Sequence, residues 1–155
     1  MAACVRDAEA VLLVSALPHF LTSKKVRQVG ETPLHLSSIN HNMELAKYLI
    51  DRGAEVNSRA RGEASLAMAP LHWFLFMNDC GEGVEALLEN GADVNALCYT
   101  ETGDLISPLD IADKVRNRER ERELLLSRGA KRFSDMTQQE RSVNSPPAAC
   151  QAPAR

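Results

Sequence analysis

The sequence is poor in aromatics: one Trp, two Tyr and four Phe make up 5% of its 155 residues. Long apolar runs are also missing. The longest stretch, residues 8–21, is interrupted by Glu9, Pro18 and His19 and falls short of the roughly 20 apolar residues a membrane-spanning helix needs. Asp7 and Glu9 stand where a secretory signal carries its basic region, so secretion is not expected. Neither sign of charge is in excess. The 18 Lys and Arg face 21 Asp and Glu, a formal net charge of -3, which offers no field to phosphate backbones or anionic lipid. With 8 Gly and 7 Pro, the chain is neither collagenous nor wholly disordered. Cys4, Cys80, Cys98 and Cys150 are scattered, with no Cys-x-x-Cys and no histidine at zinc-ligand spacing. They read as reduced thiols, which places the protein in the cytoplasm, with the nucleus as a second compartment.

What the chain does have is a period. Gly53-Ala54-Glu55-Val56-Asn57 recurs as Gly91-Ala92-Asp93-Val94-Asn95, a shift of 38, and Gly129-Ala130 lies 38 further on. An independent marker keeps the same phase: Thr32-Pro33-Leu34-His35, Ala69-Pro70-Leu71-His72 and Ser107-Pro108-Leu109-Asp110, with prolines 37 and 38 apart. Apolar triplets ending in Ile50, Leu88 and Leu126 precede the three glycines. Proline suits a first helical turn, where its missing N–H has no partner to lose, and Thr or Ser before it can cap the helix. Glycine after an apolar run can take the left-handed conformation that ends a helix. Each unit therefore reads helix, loop, helix, glycine stop, irregular link. Neither helix can bury its apolar face alone, so the units must stack as a short solenoid.

This pattern resembles the ankyrin repeat, whose signature holds Thr-Pro-Leu-His and Gly-Ala-Asp-Val-Asn. The resemblance runs from about residue 30 to 130 and implies an all-α solenoid with protruding hairpin loops. We divide the chain into an N-terminal cap helix or degenerate repeat (1–29), repeat one (30–57), repeat two with an enlarged hairpin (58–95), repeat three with a C-terminal cap (96–133) and a disordered tail (134–155). The tail lacks the apolar period of a helical box that recruits a ubiquitin ligase, which argues against that adaptor role. The period exceeds the family's roughly 33 residues, and the surplus falls in the links 58–69 and 96–107, with one more residue between the helices of units two and three. Phe74 and Leu75 stand where the family keeps two small residues, which puts the packing of unit two in question. Glu121 and Arg122 replace apolar positions in the second helix of unit three, as expected of a cap facing water.

No catalytic pattern is present: there is no Gly-rich phosphate loop, no Gly-x-Ser-x-Gly elbow and no flanked cysteine nucleophile. An enzyme is not expected, nor a cofactor or metal. His35 and His72 recur one unit apart, and the family implies a structural role for them at the helix starts. A monomer that binds another protein, as scaffold, adaptor or inhibitor, is the expected function. In the family, partners meet the concave face made by first helices and hairpin tips. Carried onto this chain, the outward first-helix positions include Ile39, Asn40, Phe76, Met77 and Lys114, and the positions before each cap are Glu31, Met68 and Ile106. Polar hairpin residues, among them Arg59, Arg61, Tyr99 and Asp104, form the expected selective rim.

The alternative is an accessory protein that contacts nucleic acid or an acidic partner through Arg116, Arg118, Arg120 and Arg122 of the third-repeat helix. Interleaved Glu119, Glu121 and Glu123 weigh against nucleic acid and favour a solvated helix. Leu49 with Glu55-Val56-Asn57, and Leu87 with Asp93-Val94-Asn95, are similar to substrates of an asparaginyl hydroxylase, which makes Asn57 and Asn95 candidate modification sites.

Overall fold

Pro33, Pro70 and Pro108 each open a helix of 7 residues: α1 (Pro33–Ile39), α3 (Pro70–Phe76) and α5 (Pro108–Lys114). Each is followed by a helix of 9 residues that runs to the glycine stop: α2 (Met43–Asp51), α4 (Gly81–Glu89) and α6 (Glu119–Ser127). The computed structural model describes residues 31–39, 42–61, 66–77, 81–148 and 150. The expected cap helix at 1–29 lies outside them, as do Cys4, Cys80, His19 and His41. Among the described residues no helix is long and apolar enough to cross a membrane.

Gly53, Gly91 and Gly129 have φ of 84°, 83° and 81°, a region in which a β-carbon is penalised. The three helix ends close alike: Gly53 N–H reaches the Ile50 carbonyl and Ala54 N–H the Leu49 carbonyl, a pair repeated at Gly91 and Ala92 and at Gly129 and Ala130. Repetition of this 6→1 and 5→2 pattern gives each unit the same exit direction. First helices pack on first helices (α1, α3, α5) and second on second (α2, α4, α6), giving two layers. The core is the seam between them, with Leu34, Leu71 and Leu109 buried at one level and Leu49, Leu87 and Leu125 at another.

Phe74 and Leu75 are fully buried in that seam. The bulk of Phe74 is accommodated by a deletion elsewhere: a β-carbon at Gly83 in α4 would sit 2.1 Å from its ring. Polar ties fix the spacing of neighbouring units. Asn57 Nδ2 donates to the Gly91 carbonyl (3.0 Å) and its Oδ1 accepts from Asp93 N–H (2.8 Å); Asn95 does the same to Gly129 (3.3 Å) and Lys131 (2.8 Å). Each asparagine therefore joins two units.

Two expectations need correction. The third unit's second helix is not simply a solvated cap. Glu121 and Arg118 are buried and paired at 3.3 Å. The guanidinium also donates to the carbonyls of Leu75 and Met77, which the end of α3 leaves without helical partners. This pair thus faces unit two.

The segment after Phe133 is ordered through residue 148. A 3₁₀ turn (Phe133–Asp135) leads to α7 (Gln138–Asn144), started by a Thr137–Glu140 capping box. Thr-x-x-Glu satisfies two orphan N–H groups reciprocally, so a polar segment can hold one short helix. Its ends are anchored by buried Met136, by Leu97 N–H donating to the Asn144 carbonyl (2.8 Å), and by buried Cys150 against the Ala60 carbonyl (3.8 Å).

Candidate functional site

The histidine that recurs in units one and two is a link fastener. Backbone N–H groups only donate and carbonyls only accept, which fixes the tautomer of each ring. His35 Nδ1 accepts from Thr32 N–H (3.1 Å) and Nε2 donates to the Met68 carbonyl (3.1 Å). His72 Nδ1 accepts from Ala69 N–H (2.9 Å) and Nε2 donates to the Ala96 carbonyl (2.8 Å). Burial pulls the His35 pKa down to about 4 and that of His72 to about 3, so both rings are neutral near pH 7. In unit three Asp110 reverses the polarity. Its Oδ2 accepts from Ser107 N–H (3.1 Å) and from Phe133 N–H (3.0 Å), so the following link presents a donor there rather than a carbonyl. These groups position links. Among the described residues, no group of three or more His, Cys, Asp or Glu side chains is placed to hold a metal.

The links so positioned form the walls of a cavity. Tyr99 N–H donates to the Leu66 carbonyl (2.8 Å), joining the first link to the second. The second link is itself a hairpin of β1 (Cys98–Tyr99) and β2 (Leu105–Ile106), antiparallel with Cys98 opposite Ile106. Arg59 lies beneath both, its guanidinium donating to the carbonyls of Ala67 (2.9 Å) and Leu97. Arg59 was expected at the rim, but its fork is spent on backbone carbonyls inside the links. Burial drives the Cys98 thiol up to about 12, which keeps it protonated and unreactive.

Between these walls and α3 opens a cavity of about 560 Å³. Trp73 and Phe76 of α3 and Met77 just after it line the cavity, with Met68 from the first link and Tyr99 and Ile106 from the second. Glu31, just before α1, and Lys114, at the end of α5, bring charge from units one and three. The Trp73 indole stands edge-on to His35, with centroids 6.3 Å apart. Phe76 is 42% exposed, an uncompensated apolar surface beside the opening. Glu31 is partly desolvated. Its Oε2 is shut off from solvent without a hydrogen-bond partner among the described residues, and desolvation raises its pKa.

Seven of the twelve expected contact residues therefore come together on this cavity: Glu31, Met68, Phe76, Met77, with Tyr99, Ile106 and Lys114. Arg61 and Asp104 are exposed but do not line it. Asn40 lies outside the described residues, as does the side chain of Ile39. Sequence reasoning passed over Trp73 and Leu66. Trp73 falls three positions, about one helical turn, before Phe76 of the expected outward pair, and Leu66 sits inside an inserted link where the period offers no register.

The arginine-rich segment is mostly satisfied within the molecule. It is not one helix: α5 ends at Lys114, α6 begins at Glu119, and Asn117 between them has a φ of 59°. Arg118 pairs with Glu121, Arg120 with Glu85 (3.2 Å) and Arg122 with Asp113 (4.0 Å).

A family model for ankyrin repeats (3 copies) matches residues 1–98. The match takes in α1 to α4 and stops at Cys98, before α5 and α6, which repeat the same arrangement. No curated protein matches the chain.

Proposed function

The chain belongs to the ankyrin-repeat family, whose repeats generally mediate protein–protein interaction, and we infer that this one holds a partner protein in the cavity between α3 and the two links. Members are typically interaction modules rather than enzymes. The observation that carries the reading is the cavity itself, with Trp73, Phe76 and Met77 opening toward solvent between hydrogen-bonded walls. Preformed walls lower the ordering cost of binding, and partly exposed aromatics supply the contact area that dominates interface energetics.

The protein acts as a monomeric scaffold, adaptor or inhibitor in the cytoplasm or nucleus. Pairing of Arg118, Arg120 and Arg122 within the fold weakens the case for nucleic acid. Asn57 and Asn95 remain candidate hydroxylation targets, tested by mass spectrometry of cell-derived protein.

Affinity purification tests the main reading. The wild-type chain recovers a reproducible partner, and Phe76→Glu with Met77→Glu loses it while circular dichroism stays unchanged. Retention of the same partner by a folded double variant contradicts it.

A further inference from the structure

We propose that the cavity takes a partner segment combining an apolar anchor side chain with a neighbouring Lys or Arg, whose cationic group docks on Glu31. This rests on the reading of the cavity as the protein-binding face and specifies the chemistry that face selects.

Two features of the cavity converge on this occupant. The first is its apolar lining. Trp73, Phe76 and Met77 on one side and Met68 and Ile106 on the other surround a space of about 560 Å³, which exceeds one side chain and suits a short stretch of peptide. Aromatic faces and thioethers accept both aliphatic groups and the methylene stem of a basic residue.

The second is charge. Glu31 and Glu101 put two carboxylates on the cavity against the single ammonium of Lys114. One oxygen of Glu31 is enclosed yet has no donor among the described residues. With Oε2 enclosed and without a donor among these residues, the charge of this carboxylate is poorly compensated, and a cation that meets its cavity-lining side recovers part of that cost. Desolvation raises the Glu31 pKa and outweighs a hydrogen bond from the residue's own backbone. Glu31 comes from unit one and Lys114 from unit three, so the basic residue lies over unit one and the anchor over α3.

The same argument sets an expectation for the free protein. Glu31→Gln removes an uncompensated charge and leaves the fold as stable as before or more so, while weakening binding, which separates a binding residue from a structural one.

The test selects a phage-displayed random peptide library against the immobilised full chain and measures the winners by fluorescence anisotropy. Peptides with an apolar anchor beside Lys or Arg are enriched. Phe76→Glu abolishes their binding. Glu31→Gln weakens it about tenfold at unchanged thermal stability, and Glu31→Lys prefers the peptide in which the basic residue is replaced by Glu. Peptides that need Phe76 but ignore Glu31, with no basic bias, overturn this proposal and leave the cavity as a binding face. Failure to select any Phe76-dependent peptide overturns both. So does a wild-type chain that sediments as a dimer while Phe76→Glu is a monomer, because the occupant is then a second copy.

Discussion

Gly83 of α4 lies directly against Phe74 of α3: a β-carbon built on Gly83 falls 2.1 Å from the ring edge, nearer than any real contact. The large residue on the first helix and the missing side chain on the second form one packing unit, and the ring is fully buried.

Alanine at position 83 is therefore expected to destabilise the protein. Inside a helix, Gly→Ala ordinarily gains about 0.5–1 kcal/mol. Here overpacking reverses the sign, at a cost of roughly 1–3 kcal/mol. Urea denaturation measures it, and in a Phe74→Leu background most of the penalty disappears. A Gly83→Ala variant more stable than wild type contradicts the pairing.

The buried histidines set an acid limit. The unfolded chain takes up protons at the ordinary histidine value of 6.5, while folded His35 and His72 resist protonation down to about 4 and about 3. Their contribution is complete above 6.5 and is lost progressively as pH falls through this window. Melting temperatures recorded from neutral pH downward should fall accordingly. His35→Gln with His72→Gln should flatten the slope, and an equally steep slope in that variant contradicts the assignment.

Arg118 and Glu121 form an enclosed pair that also closes the end of α3. Arg118→Met strands the Glu121 carboxylate and two carbonyls, and its expected cost is about 3–5 kcal/mol. Adding Glu121→Leu removes the stranded charge and should restore part of the stability, read as a positive coupling in a double-mutant cycle. Strict additivity of the two substitutions contradicts the pair.

The segment after Phe133 should protect the hairpin base. Leu97 N–H donates to the Asn144 carbonyl, so truncation after Met136 should speed exchange of the Leu97 amide about tenfold or more in native-state hydrogen exchange. An unchanged rate means that the tail does not dock.

The sequence made the repeat legible because its markers are local and periodic: the Pro33, Pro70 and Pro108 starts and the Gly53, Gly91 and Gly129 stops each depend on a few adjacent residues. Features that escaped it depend on residues far apart in the chain. Phe74 reads as an anomaly until Gly83, on another helix, is seen to vacate its space. Arg118 reads as a surface charge because its acceptors, the carbonyls of Leu75 and Met77, carry no side-chain signature. Arg59 fails as a rim residue for the same reason. The Thr137–Glu140 capping box was readable, but the low apolar content around it concealed a helix anchored at its ends. At the cavity, first-helix register identified Phe76 and Met77, while Leu66 lay in an inserted link with no period to place it.

Site-specific photocrosslinking tests the binding claim most directly. A benzoylphenylalanine replaces Phe76 at the cavity in one variant and Leu126, exposed on α6 of the second-helix layer, in another. Irradiation in cells should yield an adduct with a partner protein from position 76 and none from position 126. Adducts from position 126 alone would contradict the assignment of the cavity as the binding face.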